Sequence, residues 1–135
     1  MRVFLDTNVI VSAMATRGIC ADVLREVFVR HQLVVSEKLL DEVKLVLLRK
    51  ISVPPNIVAD VIALLRDGSD LAVLGLIADL AIPNSADRAL LSAAINGKAD
   101  LFVTGDAELL ALTKCGRTKI VSPRIFWEKV KEKLR

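Results

Sequence analysis

Arg2-Val3-Phe4-Leu5-Asp6-Thr7-Asn8 is the opening of a 135-residue chain, and a second apolar run, Val9-Ile10-Val11, follows it directly. Apolar residues run into an acid, a hydroxyl and an amide. This pattern predicts a buried strand, Val3 to Leu5, that ends at Asp6 and passes at once into a helix. A carboxylate at the C-terminal end of a central parallel strand stands where open α/β sheets place their ligands. Aspartate is also a favoured N-cap, and on this stretch alone the cap is the better account of Asp6. The arrangement recurs at Val103-Thr104-Gly105-Asp106, and the recurrence shifts the balance toward a site.

Working outward, strands and helices alternate. The first helix extends through Ala13, and Thr16-Arg17-Gly18 breaks it. A second helix begins near Ala21 and runs through Phe28, and the lone His31 follows its end. Leu33-Val34-Val35 reads as a strand, and Ser36 caps a third helix reaching about Arg49. Pro54-Pro55-Asn56 opens a fourth helix through Leu65, Asp67-Gly68-Ser69 is a turn, and Leu71 to Leu74 reads as a strand. From Gly75 to Ile82 the chain is apolar without a clear period. Pro83-Asn84-Ser85 is a loop, Asp87 to Asn96 is helical, and Gly97 ends that helix. Leu101-Phe102-Val103 and Lys119-Ile120-Val121 are the remaining strands, with a short helix starting near Asp106 between them. Ser122-Pro123 opens the last helix with a capping serine and a proline in its first turn. Strands separated by helices imply a parallel sheet with right-handed crossovers, a three-layer α/β/α sandwich in one domain spanning residues 1–135.

Composition agrees. The apolar fraction is 53% and the mean hydropathy +0.50, as expected of strands covered on both faces. No apolar run is long enough for a bilayer, and no signal-type segment opens the chain, so a cytoplasmic protein without a membrane partner is expected. Cys20 and Cys115 lack metal-ligand spacing and lie in different elements, so two reduced thiols are expected. A single histidine excludes a multi-histidine metal site within one chain. The net charge of +3 and a pI near 9.1 lean toward an anionic partner such as nucleic acid. Neither a P-loop nor a GxGxxG run occurs, which disfavours a phosphohydrolase or phosphate-binding domain of the glycine-loop kind.

The chemistry lies in the acids. Asp6 and Asp106 each follow an apolar strand, Asp87 opens a helix, and Glu42 sits at the edge of the apolar face of the third helix. Singly, Asp87 reads as a first-turn acid that offsets the helix dipole, Asp106 as an N-cap and Glu42 as a solvated side chain. Sharing one cleft, such carboxylates repel one another unless a hard cation neutralises them. Mg²⁺ or Mn²⁺ suits an all-oxygen site.

These residues carry a resemblance to a known family. Phe4-Leu5-Asp6-Thr7-Asn8-Val9, Val35 through Val43, Asp87 through Ala94, Ala99 through Asp106, and Ile120 through Phe126 together resemble a PIN domain. Within that family the chain resembles the VapC-like toxin components of prokaryotic toxin–antitoxin pairs. The pieces span nearly the whole chain, and their order and spacing are the specific feature. The resemblance implies a Mg²⁺- or Mn²⁺-dependent ribonuclease that hydrolyses RNA phosphodiesters, leaving a 5′-phosphate and a 3′-hydroxyl. Asp6, Glu42, Asp87 and Asp106 would be its metal ligands and catalytic acids. Asn8 and Thr104 would orient them, with Thr7 and Ser36 in support. It also implies a cognate antitoxin and a homodimer. The chain departs from the pattern at Pro83-Asn84-Ser85-Ala86, where relatives of this branch often carry further acids. That departure motivates the alternative of a catalytically degenerate, nucleic-acid-binding PIN-like module. Arg17, Arg25, Arg30, Arg88 and Lys98 are candidate phosphate contacts, and Trp127 is expected to pack against the core.

Overall fold

A computed structural model of the protein describes residues 1–73, 82 and 84–133. Six strands form one sheet in the order β3-β2-β1-β4-β6-β5. They are β1 (Arg2–Leu5), β2 (Gln32–Val35), β3 (Ser69–Leu71), β4 (Leu101–Val103), β5 (Lys114–Cys115) and β6 (Thr118–Val121). All neighbouring pairs are parallel except β5 with β6. The helices are α1 (Thr7–Ala15), α2 (Ile19–Arg30), α3 (Glu37–Arg49), α4 (Pro55–Asp67), α5 (Ser85–Asn96), α6 (Ala107–Ala111) and α7 (Pro123–Lys133).

Every residue of Val3–Leu5, Leu33–Val35 and Leu101–Val103 is at most 4% exposed. Successive strand residues point to opposite faces, so burial of all of them means that both faces of the sheet are covered. This is the three-layer α/β/α arrangement expected from the sequence. At its centre Phe4 and Phe102 stack across β1 and β4 with ring centroids 5.4 Å apart. Pairs of this kind add about 0.5–1.5 kcal/mol beyond the area they bury.

Several local expectations need correction. The strand expected at Leu71 to Leu74 starts earlier, at Ser69–Leu71, because α4 ends with its C-cap at Gly68 and Ser69 already pairs with Leu33 of β2. Leu74 and the unassigned stretch from Gly75 lie outside the described residues, as do Pro83, Leu134 and Arg135; Ile82, at its end, is buried. The β5–β6 hairpin is an addition. Its two-residue loop, Gly116-Arg117, places Gly116 at a φ of 58°, the left-handed conformation that a two-residue hairpin needs at its first central position. Trp127 is not a core residue. Phe126 takes that place at 0% exposure, while Trp127 is partly exposed, with Lys131 Nζ 5.7 Å from its ring centroid.

Candidate active site

The strand order reverses direction at β1. From β1 the chain moves to β2 and β3 on one side, then returns to β4 on the other. In open α/β sheets the crevice at such a switch point, beyond the C-terminal strand ends, is the ligand site. The register carries two residues into it together. Leu5 is opposite Val103, and the ladder continues one step, with the Asp6 N–H donating to Val103 O at 2.9 Å. Asp6 and Thr104 are therefore adjacent, and the Thr104 hydroxyl donates to Asp6 Oδ2 at 2.7 Å.

Asp6 is both readings at once. It is the N-cap of α1, with Oδ1 accepting from Thr7 N–H at 2.8 Å, and it is 4% exposed at the floor of a cleft. Its two caps leave further lone pairs on each carboxylate oxygen open to another partner. Thr7 reaches the opposite way with its hydroxyl, donating to Glu42 Oε2 at 2.8 Å. Glu42 comes from α3, which Ser36 caps by accepting from Leu39 N–H at 3.2 Å; Lys38 Nζ lies 3.6 Å from its other oxygen. Asp106 is the N-cap of α6, accepting from Glu108 N–H through Oδ1 at 2.8 Å. Its own N–H donates to Thr104 Oγ1 at 3.0 Å. Thr104, fully buried, thus donates to one acid and fixes the backbone of another.

Asp6, Thr7, Asn8, Glu42, Asp87 and Asp106 line one cleft of about 300 Å³, together with Leu45 and Val46 of α3. All four acids expected to share a site line this cleft, and Asn8 stands on its rim, exposed. Ser36 instead serves its helix. Leu45 and Val46 were not anticipated, although they follow Glu42 at the i+3 and i+4 spacing of one helix face. Glu108 is exposed, yet its charge reaches Asp87. Asn84, in the position where more acids were expected, is the N-cap of α5 and accepts from Ala86 and Asp87 N–H groups at 2.8 and 3.2 Å.

The electrostatics follow from the crowding. Burial pushes the Asp6 carboxyl above the ordinary aspartate range, the Thr104 and Thr7 donors oppose that shift, and Glu42 and Asp106 add to it. Asp87 is also raised, first by burial and then by Asp6, Asp106, Glu42 and Glu108. Four carboxylates lining one cleft supply hard oxygen donors of the type that suits Mg²⁺ or Mn²⁺. Among the described residues, no three His, Cys, Asp or Glu side chains stand close enough to hold an ion between them. Glu42, Asp87 and Asp106 are only partly buried, whereas Asp6 is buried and held by its two donors.

The candidate basic contacts are distributed differently. Arg25 lies 3.5 Å from Asp22, Arg30 lies 2.6 Å from the buried Glu26, and Arg88 donates to Ile82 O at 2.8 Å. None of them lines the acidic cleft.

Fold and cleft together define a doubly wound α/β protein with four carboxylates lining a cleft beyond its strand ends. A family model described as PIN domain matches residues 2–108, and the chain belongs to the PIN domain family. No curated protein matches it. Among solved structures it is similar to the crystal structure of VapBC2 from Rickettsia felis bound to a DNA fragment from their promoter. That likeness has a TM-score of 0.68 at 15% identity and covers 90% of this chain and 98% of that one. At this identity it is a likeness of fold.

Proposed function

We propose that the protein is a Mg²⁺- or Mn²⁺-dependent endoribonuclease, the toxin member of a toxin–antitoxin pair. The observation that carries the reading is the convergence of Asp6, Glu42, Asp87 and Asp106 on one cleft at the switch point of the sheet. Asp6, Glu42, Asp87 and Asp106 would hold the cation. When bound, it would lower the pKa of a water and offset charge on the phosphoryl oxygens. Asp6 is the fixed member, held by Thr104 and Thr7. Glu42 is steered by the Thr7 hydroxyl. Asp106 turns one oxygen to the start of α6 and leaves the other for the cleft. Asn8, exposed on the rim, is placed to hydrogen-bond an RNA strand, and Leu45 and Val46 offer an apolar wall for a base or ribose. Water rather than the ribose 2′-hydroxyl would attack, leaving a 5′-phosphate and a 3′-hydroxyl.

An antitoxin partner and a homodimer belong to the same reading. Its support is membership of the family, the fold likeness to a toxin–antitoxin complex, and apolar surface free for protein contact, with Ile57 and Leu64 45% and 60% exposed. No helix among the described residues is long and apolar enough to cross a membrane, and a cytoplasmic location fits the proposed RNA substrate.

A second reading, a degenerate module that binds nucleic acid without cutting it, is favoured by two observations. Asn84 stands where further acids were expected, and no three described carboxylates yet converge on a point. One experiment separates the readings: purified protein incubated with mixed single-stranded RNA, in Mg²⁺, in Mn²⁺ and in chelator, beside Asp6→Asn and Asp106→Asn. Cutting that requires metal and disappears in both variants supports the nuclease. RNA binding without cutting selects the degenerate module, and cutting that survives chelator and both variants removes the mechanism.

A further inference from the structure

At the opposite end of the sheet lies a second cavity of about 470 Å³, lined by Met1, Asp100, Leu101, Arg117, Lys119, Lys129, Val130 and Glu132. Its place follows from the topology. Asp100 and Leu101 open β4, Lys119 stands near the start of β6, and Lys129 and Val130 belong to the second half of α7. Leu101 and Val130 are buried and form an apolar floor. Arg117 is presented by the Gly116-Arg117 loop of the hairpin. Three cations thus face two acids, and one of those acids, Asp100, has an oxygen occupied by the Arg2 N–H at 2.8 Å. None of Arg117, Lys119 and Lys129 forms an ion pair with a described carboxylate, whereas Arg2, Arg25, Arg30, Lys38 and Arg66 all do.

The hairpin adds an independent observation. Lys114 and Lys119 are directly opposite each other across β5 and β6, so their side chains leave the same face. Ile120 N–H donates to Thr113 O at 2.8 Å. In an antiparallel ladder, the neighbouring pair, Lys114 with Lys119, is then the non-hydrogen-bonded kind, in which side chains are closer. Like charges so placed are destabilising. Lysine on an edge strand discourages unwanted pairing, and that explains Lys114. It does not explain Lys119 on the inner strand β6, Arg117 in the loop, or Lys129 arriving from α7. Those three have in common only the cavity.

We propose that this cavity is a second binding site, for nucleotide phosphate, either as a free mononucleotide or as part of a single strand. Its size falls in the range of small-ligand sites. Arg117 supplies a planar donor fork for phosphate oxygens and the lysines supply point charges. Leu101 and Val130 receive the apolar part of a sugar or base. Binding here needs neither a metal nor cleavage at the acidic cleft, so it stands or falls apart from the nuclease reading.

The test is amide chemical-shift mapping of the full chain in chelator, with inorganic phosphate, uridine monophosphate and a short single-stranded oligoribonucleotide as separate probes. The expected result is shifts clustered at Gly116, Arg117, Lys119 and Lys129 with one or both nucleotide probes. These shifts should be weakened on the order of tenfold or more in Arg117→Ala/Lys129→Ala, whose unperturbed spectrum elsewhere confirms folding. Response to the monophosphate identifies a free nucleotide as sufficient; response to the oligonucleotide alone identifies a strand, with a salt dependence that falls by about 0.7 in log–log slope per contact removed. Shifts with inorganic phosphate only would mean an adventitious ion only and overturn the proposal. So would an absence of shifts with all three probes, or shifts that the double variant leaves unchanged.

Discussion

The two ends of the parallel sheet carry opposite charge and treat it in opposite ways. At the C-terminal end four carboxylates line a cleft, and three of them are held by donors: the Thr7 N–H and the Thr104 hydroxyl on Asp6, the Glu108 N–H on Asp106, and the Thr7 hydroxyl on Glu42. At the N-terminal end Arg117, Lys119 and Lys129 surround a larger cavity without ion pairs to described acids. Charge of opposite sign is therefore separated along the strands at these two places. Parallel strands make this possible. Helix starts and their N–H groups gather at one end, where anionic side chains are stabilised locally. The other end offers cations water and whatever anion binds there.

The largest expected effect tests the acidic end. Asp6→Asn and Asp106→Asn should each lower metal-dependent RNA cleavage by on the order of 10²-fold or more, since each removes a charge from the proposed cation site. Gel assays of single-turnover cleavage give the number. Retained cleavage in both variants would mean that the acidic end is only a set of helix caps.

Next in size is the response to metal and pH. Asp6 and Asp87 have carboxyl groups raised in the fold, so the native chain holds protons that the unfolded chain has released. Stability then falls as pH rises from the ordinary aspartate range through the raised values, because the unfolded state binds fewer protons in that window. Below it the contribution is fully present. Melting scans of metal-free protein should show this decline from mildly acidic pH upward. Saturating Mg²⁺ should reverse it, adding about 2.7 kcal/mol at a hundredfold excess over Kd. A melting temperature indifferent to Mg²⁺ above the window would contradict the cation site.

Thr104→Val sharpens the comparison further, because valine keeps the shape while removing both the donor to Asp6 and the acceptor for the Asp106 N–H. Cleavage should fall about 10- to 100-fold, as for other groups that orient ligands. Stability should fall by about 1–3 kcal/mol from the unpaired polar atoms left buried. Kinetics combined with denaturant titration separates the two effects. Asp6 should also become still easier to protonate, which moves the pH at which activity appears upward.

How much of this was legible depended on whether local or distant residues set each feature. The strand before Asp6 and the helix after it needed only the neighbouring sequence, as did the caps at Ser36 and Asp106. Asp6 and Asp106 stood out because a cap and a ligand use the same residue type at the same strand end; Glu42, Asp87 and the grouping of all four came from the family pattern, not from spacing alone. Glu108 and the wall of Leu45 and Val46 escaped, since their exposure to the cleft depends on how α6 and α3 settle on the sheet. Ser69–Leu71 was placed late because two of its three residues are polar and show no strand character apart from their pairing with β2. Trp127 was expected to pack against the core, but Phe126 occupies the inward position of α7 and leaves the tryptophan beside α2. The Gly116-Arg117 hairpin gave almost no signal, because β5 is two residues long and one of them is a lysine.

That hairpin supplies the smallest effect and the most direct probe of the basic end. If Lys114 and Lys119 repel across the ladder, Lys119→Glu converts the repulsion into an attraction at an exposed position that lines the basic cavity. Cross-strand charge pairs are worth about 0.2–1 kcal/mol, so the variant should be more stable than the parent by up to about that amount. Salt sets the control: the gain should shrink as ionic strength rises, since both groups are exposed. A stabilised variant that has lost nucleotide binding would mean that the parent keeps an unfavourable charge pair for the sake of its ligand. A variant no more stable than the parent in low salt would show instead that solvent already screens the pair, and the cross-strand lysines would no longer support a site at that end of the sheet.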